Sequence, residues 1–486
     1  MGLNGIPITY GELLRWIGIL LFMSTISGCK RRDFWSSKPI TLHDGAPYRF
    51  HEWMSSRRYE LILSHLTYTD QQPPFYIDRF WEIRTIIQEW NLNMAQIFKP
   101  SWVSCLDESM SIWFNKWTCP GWMFVPRKPH PFGNEYHTIC CSLSRIMFAM
   151  EIVEGKDKPH EKAPCPLTGN KTPTVGLMLR LCRNLFSTGK VVILDSGFCV
   201  LEGICQLKKM GVFASAVIKK RRYWPKHVKG DKIDSHMKTK AVGECDALHG
   251  TLDGVKYNIF SLKEPNYVMK LMSTYGGLIV KPNERTSKRV YFDEQKQESV
   301  TVSFQYTEPF SNHYLYRHSV DDNNNLRHQL PSIEDTWKTQ RWANRVFAFI
   351  IAVTEVNCYL AFKYFLWEQN RTQKIPTLHE FRRDLALKLI FNDFLKAKER
   401  RRSKRTHTHE QVISIAHHLK TAPPHAKKYY RGSWSCTASK RYQQYTCRSI
   451  GCKTKVRTFC ACQGGSWMCQ PCHSIHVAAE ASKKAV

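Results

Sequence analysis

The stretch KVVILDSGFCVLEGICQLKKMGVFASAVIK, Lys190 to Lys219, decides the fold class. Its first six residues form an apolar run closed by Asp195, which reads as a buried strand. Leu201 to Met210 follows with the pattern of an amphipathic helix, and Val212 to Lys219 returns to a β-like run. Strand, helix and strand within about thirty residues form the repeating unit of an α/β sheet.

The same texture extends upstream. VSCLD, Val103 to Asp107, is a second short apolar run that ends on a carboxylate. YHTICCSLS (Tyr136 to Ser144) and IMFAMEIVE (Ile146 to Glu154) read as two strands around a tight connection, and Pro173 to Leu185 reads as a helix. Residues 10 to 100 read mostly as helix. In DRFWEIRTIIQEW, Phe80, Ile83, Ile87 and Trp90 recur at helical spacing, with Asp78 in place as N-cap. The QQPP segment, Gln71 to Pro74, separates this helix from the one before.

Downstream, residues 220–310 hold short β-like runs (VKYNIFSL, NYVMKLMST, GLIVKP, RVYF, SVTVSFQY), expected to form a β-rich insertion. The helical pattern resumes after Asp321, with a long apolar helix from Arg341 to about Trp367 and another over His379 to Lys398. The expected organisation is a helical region over 1–101, a core over 102–219 and 311–395 interrupted by the insertion at 220–310, a basic linker over 396–435 and a cysteine-rich domain over 436–486.

The chain has 486 residues, with 71 Lys and Arg against 41 Asp and Glu, a net charge of +30. Its 43% hydrophobic content excludes a wholly disordered chain. Between Arg371 and Val486 lie 24 basic and 6 acidic residues, so the C-terminal quarter is a basic appendage. Such an excess calls for a polyanionic partner, with nucleic acid ahead of an anionic membrane surface. No membrane span is expected. Trp16 to Met23 is too short, and Val346 to Phe365 is interrupted by Glu355 and Lys363. The N-terminus lacks the basic region and cleavage site of a signal peptide, and Ile6 stands where a myristoylation motif needs Ser or Thr. The eighteen cysteines therefore read as belonging to a reducing compartment.

Two chemistries stand out. Asp107 and Asp195 close apolar runs, and carboxylates at the C-terminal ends of adjacent parallel strands project into one crevice. Their repulsion is relieved by divalent cations, and a two-metal site ~3.5–4 Å across can activate water for phosphodiester cleavage. Asp321 in YRHSVDDNNNLR, with Asp322 beside it, is the candidate third acid. Read alone, each aspartate fits a turn or helix cap equally well.

The second is the terminal cluster. Cys447, Cys452, Cys460, Cys462, Cys469, Cys472, His473 and His476 supply eight sulfur or nitrogen donors, enough for two tetrahedral Zn²⁺ ions, with Cys436 as a further candidate. A segment of about forty residues has too little core to fold without metal. Basic residues surround both chemistries: Arg127 and Lys128 after the first acid, and Lys219, Lys220, Arg221 and Arg222 after a core strand, all candidate phosphate contacts. KAKERRRSKR, Lys396 to Arg405, reads as a nuclear localisation signal or a charged linker. The histidines His407, His409, His417, His418 and His425 are irregularly spaced and read as linker composition.

LDESMSIWFNKWTCPGWMFVPRKPHPFGNEYHTICC (Leu106 to Cys141), the block from Leu194 to Pro225, SVDDNNN (Ser319 to Asn325) and KTQRWANRVFAFIIAVTEVN (Lys338 to Asn357) together resemble the catalytic core of piggyBac-type transposases. That resemblance implies an RNase H-like core with a β-rich insertion, and Mg²⁺-dependent cutting and joining of double-stranded DNA at TTAA sites. It also implies a homodimer in the nucleus, and a terminal zinc domain with cross-braced ligands that binds transposon ends. It gives Asp107, Asp195 and Asp321 as metal ligands and brings Trp342 near a DNA hairpin, with core packing as the alternative for that tryptophan. The family's additional aspartate falls on Asn324 here, so Asn324 or Asp322 would have to complete the magnesium site. The family also carries a longer N-terminal region, so residues 1–101 read as a shortened DNA-binding and dimerisation segment. The competing reading is a domesticated DNA-binding protein that no longer cuts.

Overall fold

A computed structural model gives the architecture. It describes residues 7–38, 47–158, 172–219, 224–225, 228–280, 286–293, 296–367, 374–395, 419–421, 426–430, 433–436, 445–449, 451–456, 458–460 and 466–483. The chain divides into two compact units, Met1–Asn392 and Asp393–Val486.

The first unit is built on one mixed sheet of nine strands: β1 (Val103–Ile112), β2 (Trp122–Phe124), β3 (Phe132–Cys141), β4 (Met147–Ile152), β5 (Val191–Leu194), β6 (Phe213–Val217), β7 (Cys245–Leu252), β8 (Val255–Lys263) and β9 (Val268–Ser273). The order is β2-β3-β1-β5-β6-β9-β8-β7, with β4 also pairing with β3. β1 runs antiparallel to β3 but parallel to β5, and β5 is parallel to β6. This gives the expected α/β sheet. The KVVILD run lies at its centre, where Val191–Leu194 is buried along its whole length.

Alternation along β1 feeds two cores. Leu106 faces one that is filled by α4 (Pro173–Leu181) and α5 (Leu201–Lys209), while Cys105 faces another filled by α3 (Trp81–Ile97) and the long helix Trp342–Ala361. That long helix is apolar enough to cross a membrane by length and composition. However, 61% of its apolar window is buried inside the protein, as befits a core helix. α3 begins two residues later than an N-cap at Asp78 would place it, with Phe80 as the N-cap. Asp78 is held in the preceding turn instead, accepting from Phe80 N at 3.0 Å and from Arg84 Nη2 at 2.9 Å.

The helical N-terminal region packs on the last helix of the first unit. α1 (Tyr10–Met23) shares an aromatic core with α2 (Ser56–Ser64), where Trp16 stacks on Tyr59 at 5.3 Å. α1 also lies close against the helix Leu378–Ile390. A Cβ on Gly18 would sit 2.7 Å from Ala386 O, so only glycine permits that approach.

The β-rich segment is not a module apart. β7, β8 and β9 extend the core sheet through the antiparallel β6–β9 pair, and α6 (Gly230–Lys238) precedes them. Among the described residues of this segment, β10 (Thr286–Asp293) and β11 (Glu298–Gln305) pair with each other as a separate ribbon. Three helices then return to the core: α7 (Glu308–Tyr316), α8 (Ser319–Arg327) and the single turn α9 (Ile333–Thr336). The helix expected over His379 to Lys398 ends at Ile390. In the second unit, a small core forms around Cys447, Val456, Cys460, Trp467 and Met468, with Tyr445 stacked on Trp467 at 4.2 Å.

Candidate active site and metal centre

Register brings the first two acids together. Leu106 lies opposite Leu194 in the parallel β1–β5 pair, and Asp195 N donates to Leu106 O at 3.2 Å. Asp195 therefore emerges from the sheet beside Asp107. α8 delivers Asp321 in its first turn, with His318 Nδ1 3.4 Å from Asp321 Oδ2. Asp107, Asp195 and Asp321 line one cavity of about 500 Å³, together with Lys219, His313 and Arg317.

Electrostatics make this cavity a place for positive charge. Burial pushes the Asp107 carboxyl up to about 7, and the nearby Asp195 carboxylate adds to the shift, while Lys128 opposes it. Three carboxylates around one cavity offer the hard oxygen donors that Mg²⁺ takes, so the residues fit such an ion. Their oxygens do not all lie within 4.8 Å of one another. Among the described residues, the donor atoms that do cluster so closely are cysteine sulfurs.

The basic neighbours divide. Lys128 Nζ donates to Glu108 O at 3.3 Å and Arg127 Nη2 to Glu108 Oε2 at 2.9 Å, so both are anchored at the residue after the first acid. Lys219 is exposed on the cavity wall. Lys220, Arg221 and Arg222 lie outside the described residues, as do Lys396 to Arg405 and the histidine-rich linker.

Three expectations change. Asp322 points away from the acids: it pairs with Arg145 at 3.3 Å and lines a separate cavity of about 590 Å³, because one residue along a helix rotates a side chain by about 100°. Asn324, one turn beyond Asp321, is engaged as a tie. Its Nδ2 donates to Glu108 O at 3.4 Å and its Oδ1 accepts from Arg327 Nη2 at 3.3 Å. An amide can do both, whereas a carboxylate can only accept. Trp342 is only 8% exposed in the second core, and its indole N–H donates to Asn134 Oδ1 at 2.6 Å. It packs the interior and offers no open face to a base.

Sequence reading misses His313, Arg317 and Lys270 on the cavity wall. Lys270 comes from β9, in the β-rich insertion, and nothing in the spacing of HYLYRHSVD marks its histidine or arginine.

In the second unit, Cys447, Cys452, Cys469 and Cys472 bring their sulfurs within 4.8 Å of one another. The eight expected zinc donors thus reduce, among the described residues, to one closed four-sulfur set. Cys460 is buried on the strand Thr458–Cys460, and His473 and His476 lie on the helix Gln470–Lys483. Cys436 ends the strand Ser433–Cys436, and Cys462 lies outside the described residues. The thiols perturb one another. Burial opposes ionisation of Cys447, but N–H donors from Cys469, at 3.5 Å, and Ser449 bring it down to about 6. The Cys469 thiol pushes Cys472 up to about 12. Four clustered sulfurs with an easily formed thiolate are the donor set of a structural zinc site.

A family profile described as Transposase IS4 matches residues 3–359. The chain belongs to that transposase family. Its fold is similar to that of a piggyBac transposase, solved as a synaptic complex with hairpin DNA, at a TM-score of 0.58 and 14% identity over 94% of this chain and 87% of that one. Comparison with curated proteins returns no match.

Proposed function

We propose that this piggyBac-type transposase, or descendant of one, cuts and joins double-stranded DNA at TTAA-flanked ends. The observation that carries the proposal is the cavity lined by Asp107, Asp195 and Asp321, drawn from β1, the end of β5 and α8. Bound there, a pair of Mg²⁺ ions would supply an activated water and neutralise the charge that develops on phosphate. Asp107, midway along β1, and Asp195, just past the end of β5, hold neighbouring carboxylates. Asp321 completes the set from α8. Lys219 and Arg317 on the wall meet phosphate oxygens. Water attack on a phosphodiester frees a 3′-hydroxyl, and that hydroxyl then attacks a second strand.

DNA as partner is supported by the net charge of +30 and by the DNA-bound state of the similar piggyBac transposase. The basic second unit, held by Zn²⁺ on Cys447, Cys452, Cys469 and Cys472, would add grip on transposon ends. A homodimer and nuclear import through Lys396 to Arg405 complete the reading.

A second reading has one observation behind it. Asn324 occupies the position of the family's additional aspartate and is spent as a tie, which favours a derived protein that binds without cutting. Cleavage of TTAA-flanked ends in Mg²⁺ decides. Binding with no cleavage by the full chain would establish the second reading.

A further inference from the structure

The carboxylate cavity has one wall residue whose polar atoms are left over. His313 on α7 is 4% exposed, and neither Nδ1 nor Nε2 has a hydrogen-bond partner. Its ring lies edge-on to Tyr314, with centroids 5.7 Å apart. The charged groups that bear on it are Arg317, Asp195, His318 and Lys219. Burial and Arg317 hold its pKa near 3, so the imidazole is neutral, with one N–H and one lone pair.

A buried polar group without a partner is costly, and an apolar ring of similar shape would remove that cost. Its retention calls for a partner that arrives when the cavity is filled. The acids provide acceptors, as they should for a cation. They provide nothing special for the water that a small divalent cation keeps, and Mg²⁺ keeps several water ligands when it binds carboxylates. A neutral imidazole at the edge of such a site can accept from one of those waters and fix the orientation of the shell.

We infer that His313 is a positioning residue that accepts a hydrogen bond from the hydration shell of a divalent cation held at Asp195. This rests on the metal-dependent reading above. It requires no change in the fold, because α7 already carries the ring to the cavity wall.

The test uses the full-length zinc-loaded chain and its His313→Phe and His313→Gln variants. Thermal midpoints are measured without added cation and then through a Mg²⁺ titration. The Phe variant should melt at or above the parent's midpoint, since a partnerless polar group has been replaced by an apolar one. Its apparent Mg²⁺ affinity should fall roughly tenfold or more. The Gln variant, which restores a polar acceptor, should recover part of that affinity. An unchanged Mg²⁺ affinity in the Phe variant overturns the inference, whatever its midpoint. So does a lowered midpoint whose affinity loss Gln does not repair, because that is the signature of packing alone. Failure of the metal reading itself looks different: the parent then shows no Mg²⁺-dependent shift at all, and the inference falls with it.

Discussion

Arg327 and Glu334 form a fully buried ion pair, with side chains 0% and 1% exposed, that locks the helix of the third acid onto the strand of the first. Arg327 also donates to Met110 O on β1 at 2.7 Å, and Ser111 Oγ, from the next residue of that strand, donates to Glu334 Oε2 at 2.5 Å. α8 is thereby fixed to β1 by groups that cannot fall back on water.

Removing one partner should be worse than removing both. Arg327→Met leaves the Glu334 carboxylate stranded and should cost about 3–5 kcal/mol. The double variant with Glu334→Leu should lose less than the sum of the two single changes, because no charge is left alone. Urea denaturation of the four proteins measures the coupling. Strictly additive losses would show that the pair acts as two independent residues.

Asp195→Asn should separate binding from chemistry. The neutral amide removes a charge partner for a cation and some repulsion toward phosphate, so affinity for TTAA-flanked DNA should hold or rise while cleavage in Mg²⁺ disappears. Gel-shift titration beside a strand-cleavage assay reads both. Cleavage at the parent's rate by the variant would remove Asp195 from the set.

Asp107 sets a pH dependence. Its folded-state pKa of about 7 stands above the ordinary 3.8, so the folded chain holds that proton more tightly than the unfolded one. The resulting stabilisation is fully present below about pH 4 and is lost as pH rises through 7. Without added divalent cation, stability should therefore decline across that window, and Asp107→Asn should flatten the decline. Urea midpoints of the two proteins, compared pH by pH, give the difference directly. Parallel profiles would mean that Asp107 ionises as freely as in the unfolded chain.

The four-sulfur set predicts a local dependence on zinc. Cys472→Ser should release one equivalent of zinc and unfold the second unit, since so small a core depends on its metal. The unit Met1–Asn392 should keep its own transition. Metal analysis combined with limited proteolysis checks both halves. Retention of the full zinc complement would place the metal on other donors.

Truncation after Asn392 should reduce the salt dependence of DNA binding, because every phosphate that the basic second unit neutralises adds ~0.9 to the log–log slope. The remaining chain should still fold. An unchanged slope would assign the phosphate-binding residues to the first unit.

Much of this is legible in residue order. The apolar runs before Asp107 and Asp195 mark strands because such a run is a pattern local to a few residues, but β1 continues past Asp107 to Ile112, where only its pairing with β3 goes on. What lies hidden is long-range. Trp342 sits in an Arg-Trp element that suggests a role at DNA, yet its burial depends on Phe80 and Asn134, far away in the chain. Asp322 and Asn324 look equivalent as stand-ins for a missing acid. Only the rotation of α8 separates one that faces Arg145 from one that faces Glu108. The strands β7–β9 read as an insertion because their pairing with β6 is a matter of register between distant segments.

The tie between Glu108 and Asn324 joins residues 216 positions apart. A ribosome exposes Asp107 and Asp195 long before α8 leaves the exit tunnel, and at about 5–20 residues per second the interval from the first acid lasts on the order of ten seconds or more. Until it ends, the nascent chain carries two acids at most and lacks the third. The three-acid cavity is therefore incomplete until synthesis is well advanced, and fragments released early lack the acid that α8 brings.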